Sequence, residues 1–248
     1  MRLKTPADVK KIREGGKLLA SIVHKVASAA EPGISTAELN ALAEKLISEV
    51  GGTPSFKGFH GYPAAACISI NEELVHGIPR ADKKVRSGDI VSVDIGLKFK
   101  GRFTDMAVTV PVGKVDKKTK QLIKITKRAL EVAIQETRPN KTLGDVGHAI
   151  QHFIEAKGYG VVRSLVGHGV GFEVHEEPRV PNFGQRGEGE LLVEGMVLAY
   201  EPMVTIGSHE VITEKDEWTI RTNDKSLSAH FEHTIAVTKK GCIILTKE

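Results

Sequence analysis

One spacing, 107 residues, runs through this 248-residue chain. It carries Pro32 to Pro139, Ser35 to Thr142, Leu39 to Val146, Ile47 to Ile154, Gly51 to Gly158, Gly88 to Gly195 and Asp94 to Glu201. A single glycine match means little in a chain with 25 glycines. A helix cap, an apolar helix face, a helix stop and a strand-borne acid held at one offset point to an internal duplication. Two related halves, about 5–113 and 114–248, share the elements of one structure, and no flexible linker separates them. The chain therefore reads as a single domain over 1–248.

Each half opens with helices. Val9, Ile12, Leu19, Ile22, Val23 and Val26 recur at helical spacing behind Thr5 as N-cap and Pro6 at the first helical position. Ser35-Thr36-Ala37-Glu38 reads as a capping box for a second helix over about 36–50, stopped by Gly51-Gly52. The second half offers an amphipathic stretch from Lys117 to about Glu136, then a helix begun at Thr142-Leu143-Gly144-Asp145. Strand-like runs follow in each half, at 89–95 and 102–110, then at 196–203 and 230–237. The expected class is α+β, with helix pairs packed outside a curved antiparallel sheet about a pseudo-twofold axis. No window approaches the roughly 18 consecutive apolar residues of a membrane span, and the first residues lack the apolar core of a signal peptide. Two cysteines suit a reducing compartment, so a cytoplasmic protein is expected. The net charge of +4 is scattered among acids, which argues against specific nucleic-acid binding.

Four acids stand where a core should be. Asp94 lies in Val91-Ser92-Val93-Asp94-Ile95, where an unpaired carboxylate would be costly. A hairpin turning at Phe99-Lys100 would set Asp94 directly opposite Asp105. In the other half Glu201 interrupts an apolar strand and Glu232 precedes another. If the halves meet, four carboxylates share one cavity, more negative charge than shared protons would settle, and a pair of divalent metals is the economical solution. His168, flanked by Gly167 and Gly169, is a fifth candidate ligand. One imidazole among carboxylates suits Co, Mn, Fe or Zn, and a two-metal site suits hydrolysis.

At these residues the chain resembles the type I methionine aminopeptidases, a family with the duplicated pita-bread fold. The likeness runs through 60-HGYP-63, 67-CISINE-72, 75-VHGIP-79, 167-GHG-169, 175-HEEP-178, 201-EPM-203 and 226-SLSAHFEHT-234. The resemblance implies that Asp105 and Glu232 bridge two metals, that Asp94 completes one, and that His168 with Glu201 completes the other. It makes His76 and His175 the histidines facing the substrate, with Glu201 shuttling a proton. It also makes Phe59, Tyr62, Cys67 and Trp218 the pocket for a methionine side chain. The implied reaction removes an N-terminal Met from peptides and nascent chains, with a small second residue preferred. The implied setting is a cytoplasmic monomer that can associate with ribosomes. A nucleophilic role for Cys67 has no Cys-His pair to support it.

Two positions depart from the family pattern. Val174, beside Glu173, stands where several relatives carry Phe, and His230 stands where many carry Gln. Two other readings share the fold. An aminopeptidase P or prolidase type usually carries a further N-terminal domain, and a metal-free pita-bread binding module loses ligands that are all present here.

Overall fold

The computed structural model describes residues 2–248. The helices are α1 (Pro6–Ser28), α2 (Thr36–Glu49), α3 (Lys117–Glu136) and α4 (Leu143–Glu155). The strands of the first half are β1 (Thr53–Pro54), β2 (Ala66–Ile70), β3 (Glu73–Val75), β4 (Ile90–Phe99) and β5 (Arg102–Pro111). Those after α4 are β6 (Gly160–Val161), β7 (Gly167–Gly169), β8 (Glu176–Val180), β9 (Val197–Tyr200) and β10 (Met203–Thr205). They continue with β11 (Val211–Thr213), β12 (Ile220–Thr222), β13 (Ser228–His230), β14 (His233–Thr238) and β15 (Gly241–Ile244). No helix among the described residues is long and apolar enough to cross a membrane.

Local chemistry accounts for the helix starts. Thr5 with Asp8, Ser35 with Glu38 and Thr142 with Asp145 each form a reciprocal capping box, satisfying two backbone donors that the first turn would otherwise strand. The spacing of 107 recurs in three dimensions. Ser35 bridges Lys84, and Thr142 bridges Leu191. The β1–β4 pairs Thr53↔Lys98 and Pro54↔Leu97 have their counterparts in the β6–β10 pairs Gly160↔Thr205 and Val161↔Val204. One apolar cluster joins the halves, with Leu19, Leu39, Val93, Leu122, Ile150, Leu198 and Ile235 all fully buried in it.

The strands that should match along this offset differ in one respect. β4 runs unbroken through Asp94, whereas the equivalent stretch divides into β9 and β10 at Glu201-Pro202. Proline has no N–H for the ladder, so pairing stops there. Likewise the expected single strand at 230–237 is interrupted at Phe231-Glu232.

The β4–β5 hairpin also corrects the expected register. Phe99 pairs with Arg102, so the turn is Lys100-Gly101, with both residues at positive φ (48° and 72°), the backbone of a two-residue hairpin loop. Asp94 therefore faces Ala107, and Asp105 faces Gly96. The two acids are diagonal neighbours on one face, which still brings their side chains within reach. The other edge of β5 meets the second half through side chains. Thr234 Oγ1 accepts the Asp105 N–H (3.0 Å) and donates to the Asp105 carbonyl (2.8 Å), and the Glu232 N–H donates to the Ala107 carbonyl (2.9 Å).

Candidate metal centre

The seam between the halves delivers five potential ligands to one cavity of about 410 Å³. Asp94 comes from mid-β4, Asp105 from β5, His168 from β7, and Glu201 and Glu232 from the two strand breaks. Donor atoms of Asp94, Asp105 and Glu232 lie within 4.8 Å of one another, as do those of His168, Glu201 and Glu232. His168 Nε2 is 3.6 Å from Glu201 Oε1 and 4.0 Å from Asp105 Oδ2. The glycines beside His168 answer to crowding. A Cβ on Gly167 would lie 2.3 Å from the Ala199 carbonyl oxygen, and one on Gly169 would lie 2.5 Å from that of Glu177. The His168 Nδ1–H donates to the Gly169 carbonyl (2.9 Å), which leaves Nε2 free as a ligand atom.

Electrostatics point the same way. Burial, with the Glu201 charge adding to it against the opposing pull of His230, raises the Asp94 carboxyl to about 7, and burial with adjacent carboxylates pushes Asp105 and Glu232 well above the usual range. Burial also works against the Glu201 carboxylate, but the imidazoles of His230 and His168 outweigh it and hold this group low. Asp94 Oδ1 and Glu232 Oε1 are buried without a hydrogen-bond partner. Orphaned carboxylate oxygens converging from separate strands, with one free imidazole nitrogen, fit divalent cations, whose charge would hold all four acids ionised.

His76 and His175 line the same cavity. His76 follows β3 at φ 57°, and burial lowers its pKa. The His175 ring lies 4.2 Å from that of His168 and 5.1 Å from that of Phe59. Desolvation and the His168 charge hold it down to about 3, so it is a neutral imidazole at pH 7. Phe59, Tyr62 and Trp218 make the apolar wall, with the Tyr62 and Trp218 rings edge-on at 5.1 Å. The Trp218 and Thr219 N–H groups donate to the Asp216 carboxylate, which fixes this stretch of the β11–β12 connection.

Cys67 is the exception among the expected pocket residues. It pairs with Asp94 across β2 and β4 and packs behind the wall with Phe56, Tyr62 and Val174. Burial pushes its thiol up, which is unfavourable for a nucleophile. Val174 fills that same cluster. His230 is 1% exposed, its Nε2 lies 3.4 Å from Glu201 Oε2, and neither ring nitrogen has a hydrogen-bond partner. The cavity also includes Phe56, Val75, Leu165 and Met203, which sequence reasoning missed as pocket residues. Val75 and Met203 each lie within a recognised motif, but nothing in the sequence marks Phe56 or Leu165.

The model of metallopeptidase family M24 matches residues 10–239. The chain belongs to this family. Methionine aminopeptidase 1 of Bacillus subtilis is 45% identical over 244 residues, and the methionine aminopeptidase of Clostridium acetobutylicum 43%, each match covering 98% of both chains. The crystal structure of methionine aminopeptidase from Thermotoga maritima superimposes with a TM-score of 0.98 at 44% identity over the whole of both chains. The prolidase of Pyrococcus horikoshii is 26% identical with a TM-score of 0.81, and this chain covers 63% of it. The fold is thus the pita-bread fold of M24 enzymes, and the chain is a divalent-metal hydrolase.

Proposed function

We propose that this chain is a methionine aminopeptidase that removes the N-terminal Met from peptides and nascent chains. The observation that carries the reading is one cavity with an acidic, imidazole-bearing end and an aromatic end. Asp94, Asp105, His168, Glu201 and Glu232 would hold two divalent ions drawn from Co, Mn, Fe or Zn, with Asp105 and Glu232 shared between them. When bound, such ions would lower the pKa of water to near 7 and polarise the scissile carbonyl.

The chain's own residues do the rest. Glu201, kept ionised by its imidazole neighbours, accepts the proton of the attacking water and passes it toward the departing amine. Neutral His175 donates a hydrogen bond to the carbonyl oxygen as charge develops on it, and His76 bonds the scissile nitrogen. The acidic end complements a free α-amine, which restricts cleavage to the first residue. The methionine side chain packs against Phe59, Tyr62 and Trp218 with Cys67 behind them. A small second residue is preferred, and the setting is a cytoplasmic monomer associating with ribosomes.

Metal-reconstituted protein should cleave Met-Ala-Ser but neither Ala-Pro-Ala nor an N-acetylated Met peptide. Alanine released from the second substrate would instead favour the prolidase-like reading.

A further inference from the structure

The segment preceding α1 reaches into the wall that carries His175. Lys4 is 5% exposed, unusual for a lysine, and its ammonium lies 3.0 Å from Glu176 Oε2. Apart from that ammonium, the buried Oε2 atom has no hydrogen-bond partner. The other oxygen of Glu176 accepts the Phe172 N–H at 2.9 Å and so closes residues 172–176 on themselves. His175 sits inside this closed loop. Lys4 is anchored in turn, since its backbone N–H donates to the Gly195 carbonyl (2.8 Å) just before β9. Its Nζ also donates to the Arg2 carbonyl (3.0 Å) and stands 5.1 Å from the centre of the Phe172 ring. The loop is fitted to the lysine, for a Cβ on Gly171 would come within 3.0 Å of Lys4 Cε.

A buried carboxylate that loses its cation must take up a proton or swing toward water. Either change alters the bond that closes 172–176 and moves the imidazole next to it. We infer that Lys4 is a positioning residue: by pairing with Glu176 it sets where His175 meets the substrate carbonyl. The inference rests on the role proposed for His175, and it ties the start of the chain to a site built mostly from residues far along it.

The test compares Lys4→Met, Glu176→Gln and the double variant with the wild type. Four readouts are needed: kcat and KM on Met-Ala-Ser in the Mn²⁺-loaded enzyme, Mn²⁺ affinity by calorimetry, and imidazole ¹⁵N signals in the metal-free protein. K4M should lose roughly 10- to 100-fold in kcat, the cost of a misplaced group, while KM and Mn²⁺ affinity change little. The double variant should be no worse than K4M, because both substitutions break one device. His175 signals should shift in K4M while those of His24, remote on α1, stay in place. Unchanged kcat and unchanged His175 signals in folded K4M would overturn the inference, as would losses that simply add in the double variant. If K4M fails to fold, the double variant, which leaves no buried charge unpaired, decides by the same two readouts. A wild type that does not cleave Met-Ala-Ser removes the aminopeptidase reading, and the His175 signals of the metal-free protein then decide the Lys4–Glu176 linkage separately.

Discussion

The two halves solve the same problem with different backbones. In the first, β4 and β5, ten residues each, form a hairpin with an unbroken register, and Asp94 and Asp105 project from its interior. In the second, the ladders stop at Glu201-Pro202 and at Phe231-Glu232, and the acids come from the breaks. Aspartate suits an intact ladder because its short side chain can only present oxygens close to the strand. Glutamate adds a methylene, which lets a carboxylate reach the same cavity from backbone that has left the ladder. A duplicated scaffold therefore need not place its acids equivalently, and the break gives the second half the longer acid to which the proton-transfer role is proposed.

The largest expected effect tests the rigid side of this comparison. Asp105→Asn should lose Mn²⁺ binding and peptide hydrolysis together, by roughly 10³-fold or more, well beyond the 10- to 100-fold that an outer partner is worth. Glu201→Gln, on the broken side, should keep one of two ions in a calorimetric titration. An Asp105→Asn protein that binds two ions and turns over would remove the bridging role.

Core truncations compare the scaffolds themselves. Leu97 on β4 and Leu198 on β9 are both fully buried in the shared cluster, and replacing either by Ala should cost about 2–5 kcal/mol in urea unfolding. The two should unfold in one transition, since a single apolar cluster spans the halves. Separate transitions in either variant would mean that the halves are more independent than their packing suggests.

A smaller effect separates chemistry from metal binding. His76→Ala should keep both ions and lose on the order of 10²-fold in kcat, if its imidazole bonds the departing nitrogen as proposed. Loss of metal in that variant would place His76 among the ligands instead.

What could be read from the residues alone divides along the same line. Helix starts were accessible because a capping box is a local pattern, complete within four residues, as Thr142 and Asp145 illustrate. The convergence of the acids was accessible because a carboxylate in a β-branched run demands an explanation wherever the chain folds. The hairpin register was not, because moving the turn from Phe99-Lys100 to Lys100-Gly101 depends on which residues adopt positive φ, and Lys100 carries no sign of it. Cys67 sits behind the wall instead of on it for a related reason. On a strand buried on both faces, polarity no longer tells which side chain meets the cavity.

The smallest effect concerns a tie that only the first half possesses. Asp8 on α1 accepts hydrogen bonds from the Thr5 hydroxyl (2.6 Å) and from Arg102 Nε (2.9 Å) at the start of β5, and the matching positions of the second half are Val115 and His209. These bonds, Thr5 first and Arg102 next, lower the Asp8 carboxyl from 3.8 to about 2. A depressed acid favours the fold in its ionised form. Its contribution, about 2 kcal/mol, is complete above the unfolded value near 3.8 and is lost as the pH falls through about 2. Asp8→Asn should therefore lower the unfolding free energy by about that amount at pH 7, with the gap to wild type closing between pH 4 and pH 2. Urea titrations at both ends of that window measure it directly. A gap that stays constant with pH would show that the loss does not come through the carboxylate's charge, and neither the α1 cap nor the β4–β5 hairpin would then owe any of its stability to the charge at Asp8.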